Sequence, residues 1–457
     1  MNLDGPVRVA DTAGSGTATV TLSFDNWKDA KVAPTTHSLQ VTATKSAAKV
    51  EPVTGALVAT LVHPDRKASV WTVAYSADGT RLFASGYPSG VVQIFDTTNH
   101  KELRRIETPP GYRGSAEYAL RSPDWKTLYV PVEVRKVKSV EKNGKQVTRI
   151  EYSGSIRVWD LTTGEEQAAL QPPAGSSPTF AKLSRDGKTL VCVERPSYDA
   201  DPDSIPPSDT TVVWDLTTRT RRKLGDGFRV PVFSPDSKTL AVQDRDYETK
   251  TSRVCLIDLA TFKELARLDC PEKDRYFSLN GFSSDGAVVS LSLGGKKGAP
   301  REVWFRDTKT LADRGRFVTD GDPDRYGWGG GTFTPDGTRY VILGAKDKAA
   351  VWNIGAQKVE RTLEVPSSAW MLAVSPDSKT LAVPWAPKSD LDDSRVREPD
   401  PQDYPQPRVT LFDLTGAAAP RTLIVRHGYT GGIAFSPDGK ALAFGTSGGV
   451  HLFDLTK

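Results

Sequence analysis

Ser234-Pro235-Asp236-Ser237, followed by Thr239-Leu240-Ala241-Val242, is the stretch whose reading decides the fold. A proline pre-sets φ at the second position of a tight turn, an aspartate bonds its own backbone, and a small residue closes the bend. The same order recurs at Ser76-Ala77-Asp78-Gly79, Ser122-Pro123-Asp124-Trp125, Ser184-Arg185-Asp186-Gly187, Ser283-Ser284-Asp285-Gly286, Thr334-Pro335-Asp336-Gly337, Ser375-Pro376-Asp377-Ser378 and Ser436-Pro437-Asp438-Gly439. A short apolar run precedes each turn, as in Ile433-Ala434-Phe435, and another follows it. Each copy therefore predicts a β-hairpin.

Further along each unit a third strand ends in an aromatic residue or Ile before Asp or Asn. Examples are Phe95-Asp96, Trp159-Asp160, Trp214-Asp215, Ile257-Asp258, Trp352-Asn353, Phe412-Asp413 and Phe453-Asp454, with Trp304-Phe305-Arg306-Asp307 as an expanded version. A fourth strand follows, as in Glu264-Leu265-Ala266-Arg267-Leu268. The turn aspartates from 78 to 438 recur every 51 residues or so, above the roughly 40–45 of a propeller blade. Three inserts, residues 134–153, 195–211 and 386–408, account for the surplus; without them the unit is about 43 residues, inside that range.

The pattern Ser-Pro-Asp-Gly, strand, Val-Trp-Asp-Leu-Thr-Thr-Gly resembles the WD-repeat β-propeller family, especially its bacterial members, over about residues 56–457. TolB-type propeller repeats share the turn. The family's Gly-His dipeptide has few counterparts: His427 precedes Gly428 in reversed order, and His63 lies in a comparable segment. The resemblance implies an all-β fold, an eight-bladed β-propeller of four-stranded antiparallel blades. The sequence adds how the ring closes. Gly55-Ala56-Leu57-Val58-Ala59-Thr60-Leu61 matches the fourth strands, whereas the chain stops at Asp454-Leu455-Thr456-Lys457, just past a third strand. An N-terminal outer strand is thus expected to complete the last blade and remove open edges. Residues 1–50 are read as a short β-rich N-terminal segment, resembling the end of an immunoglobulin-like β-sandwich, and residues 51–457 as the propeller.

Composition narrows the function classes. Gly and Pro, 38 and 32 residues, make up about 15% of the 457, below the roughly 25–30% of low-complexity chains. The formal charge of +4 supplies no global field for nucleic acid or an anionic membrane. Cys192, Cys255 and Cys270 are too few and too scattered for a disulfide framework or zinc site, and read as buried small hydrophobes. No window approaches a membrane span, and Met1-Asn2-Leu3-Asp4-Gly5 lacks secretory-signal character, so a soluble, cytoplasmic monomer is expected. An upstream signal would change that compartment.

The three inserts all join second to third strands, so they are expected on one face, with the shorter connections Asp244-Arg245-Asp246-Tyr247-Glu248 and Gly294-Gly295-Lys296-Lys297. Loops gathered on one face suggest a recognition surface. The first insert carries Asn143-Gly144, a two-residue hairpin signal, and reads as a β-ribbon exposing Arg135, Lys136, Lys138, Lys142, Lys145 and Arg149. These cations suit acidic partners or phosphates. The other inserts are net acidic, which disfavours a nucleic-acid groove. Trp71 and Trp370, each five residues before a turn serine, are expected near the channel mouth, with Tyr112, Tyr276, Trp328 and Tyr429 in crossovers and Arg113, Arg275 and Arg325 beside them. Buried aromatic anchors dominate contact energy.

Catalytic and metal signals are weak. Asp199, Asp201 and Asp203, and Asp320, Asp322 and Asp324, alternate as calcium ligands do, but they lack the Gly and bidentate Glu of an EF-hand loop and read as solvated. The repeated Asp after Trp or Phe reads as structural. His37, His63, His100, His427 and His451 are dispersed, and Gly86-Tyr87-Pro88-Ser89-Gly90 is not a hydrolase elbow. The expectation is a non-enzymatic scaffold presenting its loop face to a protein or peptide, without cofactor or metal. A propeller enzyme of lactonase or glycosidase type, or an exported carbohydrate or cell-envelope binding ring, stands as the alternative.

Overall fold

A computed structural model describes residues 17–22, 37–42 and 57–457, except 65–68, 88–89, 108–118, 143–144, 201–206, 247–248, 296–300, 320–330, 345–346, 367–368, 370, 388–405 and 426–429. The chain divides into two compact units, Met1–Glu51 and Pro52–Lys457. In the first, Thr17–Leu22 pairs antiparallel with His37–Thr42, Thr17 opposite Thr42.

The second unit is a ring of eight antiparallel sheets. Blade 1 runs Ser69–Tyr75, Arg81–Tyr87, Val91–Asp96, Glu102–Glu107. Blade 2 is Leu120–Arg121, Thr127–Lys142, Lys145–Asp160, Glu166–Leu170, with Tyr198–Ala200 added at one edge. Blade 3 is Ser176–Leu183, Thr189–Pro196, Thr210–Asp215, Thr220–Asp226, and blade 4 is Phe228–Phe233, Thr239–Asp246, Thr251–Asp258, Glu264–Asp269. Blade 5 is Tyr276–Phe282, Val288–Gly294, Arg301–Asp307, Asp313–Thr319, and blade 6 is Gly331–Phe333, Arg339–Leu343, Lys348–Asn353, Lys358–Glu364. Blade 7 is Ala373–Val374, Thr380–Trp385, Arg408–Asp413, Arg421–Ile424. Blade 8 is Thr430–Phe435, Ala441–Thr446, Gly449–Asp454, and its outer strand is Leu57–Val62 from the opposite end of the unit. The expected closure is present.

The turn chemistry is the same in all eight blades. Ser76 Oγ donates to Asp78 Oδ1 at 2.5 Å, and the same Oγ accepts from the amide of Arg81. Equivalent bonds run from Ser122, Ser184, Ser234, Ser283, Thr334, Ser375 and Ser436. The aspartates ending the third strands also cap turns: Asp160 Oδ1 accepts from the amides of Thr162 and Thr163, which holds its carboxyl below the usual carboxylate range. Their role is structural.

These turns also lock neighbouring blades together. The fourth turn residue meets the preceding blade's turn: Gly79 faces Pro437, Gly187 Pro123, Gly286 Pro235, Gly337 Ser284 and Gly439 Pro376. Where that residue is serine, its hydroxyl reaches across instead. Ser237 Oγ accepts from the Asp186 amide at 3.2 Å, and Ser378 Oγ from the Asp336 amide at 3.0 Å. Gly187 sits at φ 72°, and a Cβ there would lie 2.7 Å from the Pro123 ring, so glycine is needed for both conformation and space. Blade 2 departs from the rule, with Trp125 buried in the core shared with blade 1.

Apolar strand residues fill each space between blades, as Leu61, Val70, Leu82, Phe95, Val450 and Leu452 do between blades 8 and 1. At that seam Cβ atoms on Gly431 and Gly432 would collide with the Val70 and Trp71 carbonyls, so glycine permits the backbones to meet. Among the described residues no helix is long and apolar enough to cross a membrane. Cys192 and Cys255 are buried and Cys270 half-buried, all three as free thiols.

Candidate recognition face

Second-to-third connections and the starts of first strands share one face of the ring. Its main feature is the expected ribbon. Second and third strands of blade 2 pair without a break from Thr127 opposite Asp160 to Lys142 opposite Lys145. Against expectation, the second insert is not simply solvated. Tyr198–Ala200 adds a third strand to the ribbon, with Thr148 opposite Ala200 and Ile150 opposite Tyr198.

Strand alternation places Lys136, Lys138, Lys142, Arg149 and Glu151 on one side of this ribbon with Asp199. Asp199 accepts from Arg149 Nε at 2.7 Å and Lys142 Nζ at 3.0 Å, and these cations hold its carboxyl at about 2. Both its oxygens serve as ion-pair partners, which corrects its reading as a solvated or cation-binding loop residue. Lys138 pairs with Glu151 at 2.7 Å. Three of the six ribbon cations are thus internally paired rather than simply offered to solvent. Arg135 and Lys136 are exposed, and no ion pair to either occurs among the described residues. Lys136, Arg149, Tyr152, Ser197 and Tyr198 line an open groove of about 500 Å³ at the ribbon's base.

A second pocket lies where blade 4 meets blade 5. Arg245, Lys250, Arg275 and Tyr276 line about 240 Å³ together with Asp246 and Asp274. The Arg245 guanidinium lies 4.0 Å from the centre of the Tyr276 ring, a cation–π contact. Arg275, 5% exposed, is held by Glu302 at 2.9 Å and Glu272 at 3.1 Å. Gly295 makes room for the ring, since a Cβ there would fall 2.4 Å from Tyr276 Cε1. Of the expected residues the structure therefore brings Arg275 and Tyr276 together and adds Arg245 and Lys250.

Trp71 stands in a bulge between the paired residues Val70 and Thr72, 38% exposed. Bulges re-aim side chains. Tyr112, Arg113, Arg325, Trp328, Trp370 and Tyr429 lie outside the described residues, as do Asp201, Asp203, Asp320, Asp322 and Asp324. Among the described residues no group of three or more His, Cys, Asp or Glu could hold a metal ion. The described innermost strands contain no Asp or Glu; their charged residues are Arg121, Lys182 and Arg229. Arg121 packs its guanidinium 5.0 Å from the Trp125 ring centre, and burial lowers its pKa.

Known proteins resemble the chain in fold. No protein-family profile matches it, and no curated protein sequence does. Among solved structures, the computationally designed Ika8 protein aligns with TM-score 0.55 and 14% identity, over 88% of this chain and 100% of that one. The C-terminal WD40 domain of Sif2 aligns with TM-score 0.54 and 10% identity, over 87% and 97%. A eukaryotic initiation factor aligns with TM-score 0.51 and 15% identity, over 92% and 91%. At these identities the likeness concerns the propeller fold, which hosts unrelated functions.

Proposed function

We propose that the protein is a non-enzymatic interaction scaffold, holding a protein or peptide partner on the face of its long connections. The observation that carries this reading is the three-stranded ribbon. Two inserts from different blades combine into one ordered, ion-paired element, whereas tolerated drift would leave independent loops. Its exposed Arg135 and Lys136 suit an acidic segment, steering approach more than adding affinity. Trp71 and the Arg245–Tyr276 pair supply aromatic surface on the same face. The WD-repeat resemblance points the same way, since a WD40 domain is among the structural neighbours.

An enzyme of the lactonase or glycosidase kind needs carboxylates converging on the channel, and the described innermost strands offer none. That composition favours the scaffold. The test is quantitative affinity capture with the intact chain and with a variant lacking residues 136–151. Loss of a specific partner, with the melting midpoint retained, is the expected result; identical capture would remove the ribbon from the proposal.

A further inference from the structure

The opposite face, that of the tight turns, carries a different opportunity at the seam between blades 8 and 1. At each junction the fourth strand of one blade lies against the third-to-fourth turn of the next, and two facing positions decide what fills the gap. Between blades 1 and 2 they are Arg104 and Gly164: Arg104 covers the glycine, and its Nη2 donates to the Thr162 carbonyl at 2.6 Å. Between blades 6 and 7 Arg361 covers Gly416 and donates to the Asp413 carbonyl at 2.7 Å. Between blades 7 and 8 Arg421 donates to the Leu455 carbonyl at 2.9 Å. Arg222 stacks 3.9 Å from the Phe262 ring between blades 3 and 4.

Where the strand offers a small residue, the turn supplies the bulk. Arg219 reaches back to the Ala168 carbonyl between blades 2 and 3. Leu311 packs with Ala266 between blades 4 and 5, and Gln357 lies over Gly315 between blades 5 and 6. Seven junctions are thus filled by a long side chain, five of them by arginine.

The closing strand breaks this arrangement. Ala59 lies opposite Leu452 as Arg104 lies opposite Ile94, so alanine stands where the arginine would be. The facing turn residue is His100, and a crevice of about 710 Å³ opens beside this pair, reached by the neighbouring Val58 and by Leu452 while Ala59 itself packs on the core between blades 8 and 1. Val58 and His100 line it with the carboxylates of Asp78, Asp438 and Asp454 and a single lysine, Lys440. Each aspartate commits Oδ1 to the amide two residues on. The second oxygens of Asp78 and Asp438 take no part in those bonds.

We propose that this crevice is a docking site for an arginine side chain of a partner polypeptide. The ring places its own guanidinium groups at five of the other seven junctions, and at three of them, through Arg104, Arg361 and Arg421, the fold shows what this geometry accepts: a planar donor to turn carbonyls on an aliphatic stem. Asp454 Oδ2 is paired with Lys457 at 3.5 Å, so the excess of carboxylate over Lys440 rests on Asp78 and Asp438, and it favours a cation. The site lies on the face away from the ribbon and has the opposite charge, so it would engage a different segment.

The experiment titrates the full chain with acetyl-arginine amide and, as control, acetyl-norleucine amide, following binding by calorimetry and melting midpoint. Saturable binding of the arginine compound alone is expected. Ala59→Arg, which installs the missing side chain, should abolish that binding and raise the midpoint. Arg104→Ala should lower the midpoint and add a second equivalent of bound arginine amide, an arm that remains informative if Ala59→Arg does not fold. Equal binding of the norleucine compound, no saturable binding, or binding unchanged in Ala59→Arg would each overturn the proposal. Ribbon variants leave this titration untouched, so its failure is distinct from failure of the scaffold reading.

Discussion

The two faces of the ring are built on opposite logics. On the turn face one hydrogen-bond scheme is repeated in eight blades, and in seven of them the turn leans on the one before it. On the connection face the described loops differ from one another: a ribbon in one place, an arginine over a tyrosine in another. A device present in every repeat answers to the mechanics of the ring, whereas a device present once is free to answer to something outside it. The seam belongs to neither class, since it repeats the blade with chain from elsewhere.

Perturbations ordered by size should expose this division. Deleting residues 1–62 removes the outer strand of blade 8 and bares the edge of Gly449–Asp454; calorimetry should show the largest fall in melting midpoint, and an unchanged midpoint would contradict the closure. Acid should act next, through the seam. His451 bridges Thr446 and Thr60 through its two ring nitrogens, and burial lowers its pKa to about 4. The unfolded chain binds this proton near the ordinary value of 6.5, so the His451 contribution is whole above about pH 6.5, is lost as pH falls toward 4, and is constant below, where protonation of aspartates held low by the fold, such as Asp160, carries the decline further. The loss amounts to about 3 kcal/mol over that window. Denaturant titrations of the wild type and His451→Gln should diverge there, with the variant nearly flat.

Gly187→Val combines a positive φ with a clash against Pro123 and should cost about 2–3 kcal/mol. Ser234→Ala deprives Asp236 of a donor and the Thr239 amide of an acceptor, at about 1–2 kcal/mol. On the connection face, Arg135→Glu with Lys136→Glu should shift stability by no more than about 0.5 kcal/mol. That pair should instead slow association with the partner, most visibly at low salt. A stability loss comparable to Gly187→Val would erase the distinction between the faces.

What could be read in the amino-acid order follows the same division. The turns were legible because proline, aspartate and glycine are forced by local backbone geometry, and eight copies outweigh the ambiguity of one. The ribbon was legible from Asn143-Gly144, a two-residue turn signal set between two extended segments. Its third strand was not: Tyr198–Ala200 sits in a net acidic insert, and the pairing of Asp199 with Arg149 joins residues 50 apart in sequence. Nor does local sequence reveal the junction pairs. Arg104 meeting Gly164 and Arg219 meeting Ala168 look unrelated until strand register aligns them. Arg245 over Tyr276 likewise depends on the meeting of two blades, although the connection bearing Arg245 and the crossover bearing Tyr276 each stood out singly.

The closing strand also sets an order of events. Thr60 and its partner His451 are 391 positions apart, so a strand made ahead of the first blade waits for the last blade of the ring before its pairing exists. Until then the first and last sheets keep raw apolar flanks, and contacts of such long sequence separation are slow to form. Synthesis of this protein therefore includes an interval in which an almost complete but open circle must be kept from sticking to its neighbours.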